Sequence, residues 1–351
     1  MRKYIVYLAM VVLFVIYAFG QNHESEPLTL AQVIEMPDVP IGPYADHPAV
    51  DIKGHRLFAA AQAHKSVKVF DLDTGKEIHD ILGIDNPHSI LYREDLDQIY
   101  ITDGGAGLLR IYSGRNYQPI KTIKLQLDAD SVGYDPATKY LYVDNGGKNA
   151  KLDYSLISVI DTTKSEVVGE IKIQAQSLEA IAFASNSARS YVNLTDKNQV
   201  AVFDREKRVL LETWPLVNDK KNIPIALDEK RNRLFVGSRN AEDKGAIVVL
   251  NAQNGHEISS LPIAGWVDYI AFDVKRKRIY ASCGKGPDGV GSVYVYQENK
   301  SGGYDLVANP ATAPMAKAGL YVPELDRFYV AVPHTESTPA KILVFQVCTS
   351  L

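Results

Sequence analysis

Residues 131–173 read SVGYDPATKYLYVDNGGKNAKLDYSLISVIDTTKSEVVGEIKI. SVGY is a short apolar run, and DPATK after it is a turn cluster of Asp and Pro. YLYV is aromatic and β-branched, the composition strands prefer. A Gly/Asn-rich loop leads to SLISVI, DTTKSE turns the chain, and VVGEIKI alternates apolar with polar residues. Four such runs joined by tight connections predict one antiparallel meander sheet. Alternation is weak in the first three, so both faces of that sheet are expected to be covered.

The rest of the chain repeats this unit. An aromatic recurs in the second run at Phe58, Tyr100, Tyr142, Tyr191, Phe235, Tyr280 and Tyr329. A large residue recurs in the third at Phe70, Tyr112, Ile160, Phe203, Leu250, Tyr296 and Phe345. Two independent ladders with a period of 42–49 residues give seven units. That period, with four strands per unit, predicts an all-β fold: a seven-bladed β-propeller of four-stranded antiparallel blades. A lone blade cannot bury both faces, so it must stack on its neighbours. The blades fall at about His47–Ile84, Asn86–Leu127, Asp128–Gln174, Ser177–Val217, Asp219–Ile263, Gly265–Ala311 and Met315–Val347. The last has three strands, whereas LTLAQVIEM at Leu28–Met36 reads as a fourth strand without its first three. The N-terminal strand is therefore predicted to close the last blade.

Residues 1–20 differ in kind. Arg2 and Lys3 precede an uncharged, mostly apolar run from Tyr4 to Phe19, and Ala18-Phe19-Gly20 places small residues where a signal peptidase cuts. The expectation is a cleaved signal peptide at 1–20, a disordered linker at 21–27 and the propeller at 28–351, in the periplasm or secreted and free of the membrane after cleavage. The apolar run is shorter than the ~20 residues of a spanning helix. Removing residues 1–20 leaves 36 basic and 42 acidic residues, a net charge of −6. No basic stripe remains, which argues against nucleic acid as a partner. Cys283 ends a second strand and Cys348 follows a third, at opposite ends of a blade. They are too far apart for a disulfide and are expected to be unpaired.

LYVDNGG (141–147) followed by ISVIDTTKSEVVGEI (157–171) resembles the YVTN-type repeat, and SYVNLTDKNQVAVFD (190–204) is a looser copy. Over residues 28–351 the chain is similar to the exported YncE-type seven-bladed propellers. The resemblance implies the fold and either a binding role or no assigned role; no catalytic set carries over, and blades one, five, six and seven depart from the repeat consensus.

Function in a propeller gathers around the axis, by analogy of fold. The residues just before each first strand are Pro48, His88, Asp130, Glu179, Ile223, Asp268 and Lys317. Five of these seven can carry charge, above an apolar column of Val50, Ile90, Val132, Ile181, Ile225 and Ile270. His47, His64, His88 and His334 map to the same face, from blades seven, one and two. If the four imidazoles converge they suit Zn, Cu or Ni, and the carboxylates alone suit Ca or Mg. No local metal motif is present.

The leading expectation is a monomeric binding protein presenting this His/carboxylate mouth to a small polar ligand or a protein partner. The alternative is a metal-dependent hydrolase, lactonase or lyase at the same mouth, although the six-bladed lactonase repeat does not match seven units. A quinone-cofactor propeller is disfavoured, because its Trp-rich repeats are missing and the chain has two Trp. Other features read as structural. DLDTGKE (71–77), DTTKSE (161–166), DREKR (204–208) and NAQNGHE (251–257) are turns, and KRKR (275–278) is a solvated turn. GKGPDGVG (284–291) lacks the helix a phosphate cradle needs. Asn193 and Asn299 begin glycan sequons, and Trp266 lies beside the Asp268 mouth position.

Overall fold

The computed structural model describes residues 26–42, 45–135 and 137–348. The segment 1–20, expected as a signal, and residues 21–25 lie outside them. Pro27 is already tied down: its carbonyl accepts from the Cys348 N–H at 3.0 Å. The fold is all-β, with one-turn 3₁₀ helices at Gln62–His64, Glu229–Arg231 and Pro323–Leu325. Among the described residues no helix is long and apolar enough to cross a membrane.

Five sheets are four-stranded antiparallel meanders or their closed equivalent, and one sheet has seven strands. In the latter, the single strand Glu257–Asp273 serves two blades. Its first half pairs with Lys244–Asn251 as the outer strand of blade five, and its second half pairs with Arg278–Lys285 as the inner strand of blade six. Counted this way the chain makes seven blades. The apolar core makes the same count. Among the described residues seven larger buried clusters lie between blades, one per neighbouring pair, including blade seven against blade one, and a small eighth of Ala45, Ala318 and Ala331 adds to that last joint. Every residue of the two sequence ladders is buried, from Phe58 and Phe70 at 0 % to Tyr112 at 7 % exposure.

The N-terminal strand Leu28–Glu35 pairs antiparallel with Lys341–Val347, from Leu28 opposite Val347 to Glu35 opposite Lys341. It is the outer strand of blade seven, as the two incomplete ends of the sequence require. Leu28 and Ile34 point inward and are buried, while Leu30 and Val33 face out.

Local chemistry explains the turns. The residue just before the second strand adopts the left-handed conformation in six blades, at His55, Asp97, Lys139, Asn232, Lys277 and Asp326. At the third turn of blades one, three, four and five an Asp or Asn carboxyl or amide oxygen accepts backbone N–H groups: Asp71 from Thr74, Asp161 from Thr163, Asp204 from Lys207 and Asn251 from Gln253. The KRKR turn is solvated, as the sequence reading held, at Lys275 and Lys277, but not at its two arginines. Arg276 bonds Asp273 at 2.9 Å and Asp326 of the next blade at 2.6 Å, and Arg278 is buried against Gln297 and the Cys348 carbonyl. Alternating charge at the blade boundary turned a basic run into a fastener. Both cysteines are free; Cys283 is buried between blades five and six. Asn193 is also buried, its Nδ2 donating to the Ile223 carbonyl at 2.7 Å.

Candidate functional site

The loops entering the first strands and leaving the second strands meet over the axis and enclose a cavity of ≈ 300 Å³. Beneath it a narrower space of ≈ 190 Å³ is lined by Ile90, Val132, Ile181, Ile225 and Ile270 of the predicted apolar column; Val50, its sixth member, does not line it. The first strands of blades two to six carry a register shift at their entry, at Pro87/Ile90, Ala129/Val132, Glu179/Ile181, Asn222/Ile225 and Val267/Tyr269, and those of blades one and seven do not. Such bulges re-aim a side chain, and here they leave a charged group over the axis above an apolar one.

Of the predicted column, His88, Asp130, Glu179, Asp268 and Lys317 line the mouth together with His47. Pro48 lies lower, in the apolar channel. Ile223 is buried in blade five, and the place expected for it is taken by Arg239 from the end of the neighbouring second strand. Asp46, Gln62, Asn86 and Arg239 were not anticipated. Asp46 precedes the blade-one column by two residues, because that first strand begins late, at Ala49. The charged end of RLFVGSR was the available signal for Arg239.

The four-histidine cluster does not form. His47 and His88 share the mouth, but His64 and His334 do not line it. His64 stands on the same face nearer the rim, with Nδ1 2.9 Å from Ser66 Oγ and 3.4 Å from Asp80. His334 donates to the Val39 carbonyl at 2.6 Å. Both sit in loops joining second and third strands, so the sequence placed them on the correct face while their side chains are held away from the axis by local bonds.

His88 is the centre of the acidic side. Its Nδ1 is 2.9 Å from Asp46 Oδ2 and 3.6 Å from Asp130 Oδ1. The Asn86 carboxamide lies 2.7 Å from Nε2. Gln62 donates to Asp46 at 3.0 Å. A Cβ at Gly104 would come within 2.8 Å of the His88 ring, so glycine there gives the ring its place. Burial pulls the His88 pKa down, but the Asp130 and Asp46 carboxylates outweigh it and raise it to about 10. Burial pushes Asp46 up, and the His88 bond with the His47, His88 and Lys317 charges brings it well below the ordinary carboxylate range. Burial pushes Asp130 up to about 6 against the pull of His88, with Asp46 and Asp128 adding to the rise. Glu179 is held well above the ordinary carboxylate range, by burial and then by Asp130, Asp144 and Asp268. Among the described residues its carboxyl has no hydrogen bond or ion pair.

On the other side Asp268 is gripped by Arg239 and Lys317. Burial pushes its pKa up, but these two cations hold it below the ordinary value. Arg239 Nε also donates to the Val267 carbonyl at 2.9 Å, and the Trp266 ring lies 5.2 Å from the guanidinium carbon.

Among the described residues three groups have His and carboxylate atoms within 4.8 Å of one another: Asp46–His88–Asp130, Asp46–His47–Asp268 and, at the rim, Asp38–His64–Asp80. At the rim the cation position is already occupied by Lys68, whose Nζ lies 2.7, 3.1 and 3.2 Å from Asp38, Glu77 and Asp80. In the first group a metal would have to displace the proton that two carboxylates hold on His88.

No family model matches the chain, and no curated protein matches it. Solved structures do. A chain of Kuenenia stuttgartiensis hydrazine synthase superposes with a TM-score of 0.75 at 17% identity, covering 88% of this chain and 97% of that one. A chain of the mitotic checkpoint complex gives 0.74 at 14% identity over 99% of both. The U3-55K structure gives 0.71 at 12% identity, over 90% of this chain and 98% of that one. At these identities the likeness is one of fold, and the fold is a WD40-like β-propeller.

Proposed function

We propose that this protein is an exported, monomeric binding scaffold, acting in the periplasm or outside the cell, whose axial mouth receives a small polar ligand or a polar segment of a protein partner. The observation that carries the reading is the convergence of Asp46, His88, Asp130, Glu179, Arg239, Asp268 and Lys317 over one cavity of ≈ 300 Å³. Ligand sites combine a concave shape with a few convergent polar groups of shifted pKa. The YVTN-like repeats and the apolar run at residues 4–19 support an exported YncE-type protein. The occurrence of one structural neighbour within the mitotic checkpoint complex supports the protein-partner form. The test is calorimetric titration of ligand candidates into wild type and the His88→Ala, Asp130→Ala and Asp268→Ala variants. Loss of binding in folded variants supports the mouth; binding unchanged in all three removes it.

The spacing of Asp46, His88 and Asp130 favours a second reading, a metal-dependent hydrolase, lactonase or lyase. There a cation would polarise a substrate oxygen or acidify a bound water. Elemental analysis of the purified protein decides it: stoichiometric Zn, Cu, Ni, Ca or Mg lost on His88→Ala supports the enzyme, and a protein indifferent to added metal and chelator ends it.

A further inference from the structure

The charges of the mouth are divided by position, and the division specifies a ligand; this step rests on the mouth being a binding site. Blades three and four contribute Asp130 and Glu179. The one ion pair Asp130 makes among the described residues is the 3.6 Å contact with His88, and Glu179 makes none. Next to them blade five contributes Arg239. Its Nε bonds Val267 and its Nη2 bonds Asp268, while Nη1 has no hydrogen bond among the described residues. Trp266, also at the mouth, holds a φ of 58°. A bulky residue rarely enters the left-handed region, and such strain concentrates at ligand sites.

We propose that the mouth binds a small zwitterion of the amino-acid type, its ammonium received by Asp130 and Glu179 and its carboxylate by Arg239 Nη1 beside Trp266. An ammonium has three donors and no acceptor, which suits two carboxylates short of partners. A guanidinium N–H is a strong donor to a carboxylate. The same division rejects single-charge ligands. A bare anion meets Asp130 and Glu179, and a bare polycation meets Arg239 and Lys317. A cavity of ≈ 300 Å³ is at the small end of ligand pockets and fits a molecule of this size. Burial raises the pKa of both carboxyls, and a bound ammonium supplies the counter-charge they lack.

The experiment is calorimetric titration of the purified protein at neutral pH with glycine, L-alanine, L-lysine and 4-aminobutanoate. Butylamine and butanoate are the one-charge controls, and glycerol and inorganic phosphate represent other classes. At least one zwitterion should bind about tenfold or more tighter than both controls, a difference of ~1.4 kcal/mol. Glu179→Gln should weaken it by a similar factor with the melting temperature retained; Asp130→Asn gives the same reading if that variant does not fold. Arg239→Lys, which keeps the charge beside Asp268, should weaken the zwitterion and leave butylamine unchanged. Controls that bind as well as every zwitterion, or a zwitterion indifferent to Glu179→Gln and Asp130→Asn, overturn the inference. Glycerol or phosphate binding that is lost on His88→Ala overturns the zwitterion and leaves the mouth standing; no binding by any class counts against both.

Discussion

Lys68 carries a charge to a position with no solvent exposure, and Asp38, Glu77 and Asp80 surround its ammonium. Removing one partner of a fully buried pair costs about 3–5 kcal/mol. Asp38 and Glu77 are 50% and 37% exposed, so water screens part of that. Lys68→Met should destabilise the fold by about 2 kcal/mol in urea unfolding; a change under about 0.5 kcal/mol would show the cluster to be energetically idle. His88 gives a pH signature. Its folded pKa, about 10, lies above the reference value of 6.5. The charged ring therefore stabilises fully below about 6.5, and this stabilisation is lost as pH rises through 10. Asp130, raised from 3.8 to about 6, acts in the same direction at lower pH. The melting-temperature gap between wild type and His88→Gln should be largest near pH 6 and close towards pH 10; a constant or widening gap contradicts the assignment. Gly104→Ala should shift the His88 ring resonances in NMR, because the added methyl meets the ring. Five members of the column before the first strands were legible, since one repeat position recurs at one place in space; Pro48 and Ile223 do not follow it. Arg239 was not legible there, because it arrives from a different strand, and His64 and His334 were misjudged because periodicity fixes the face and not the radius.

At the scale of elements, the N-terminal strand and the double-duty strand Glu257–Asp273 hold the ring together. The first was legible from the complementary defects of the two chain ends. The second was not, because the unbroken hydrogen bonding through Ala264–Gly265 is a property of geometry that the blade-five and blade-six patterns do not mark. Ile34 is 2 % exposed in the cluster between blades seven and one. Ile34→Ala should cost about 3 kcal/mol. Removing residues 1–36 takes away Leu28, Ile34 and Met36 and exposes the Lys341–Val347 edge. The truncated chain should melt more than about 10 °C lower, or lose its cooperative transition, in calorimetry. An unchanged melting curve would show that the clasp contributes nothing.

At the scale of the molecule, seven inter-blade clusters make a closed ring with no weak joint between blade seven and blade one. Such a frame fixes the mouth: seven independent strand ends point charged groups at one axis, and their mutual burial sets the pKa values on which recognition depends. The repeat period made the frame readable from sequence, whereas the division of charge between blades three to four and five to seven depends on which loop reaches the axis. The most direct test is a crystal structure of the purified protein soaked with the tightest ligand found by titration. The account predicts density inside the mouth, bounded by Asp130, Glu179, Arg239 and Trp266. Ligand density seated on the rim or the outer strands, with none over the axis, would contradict it.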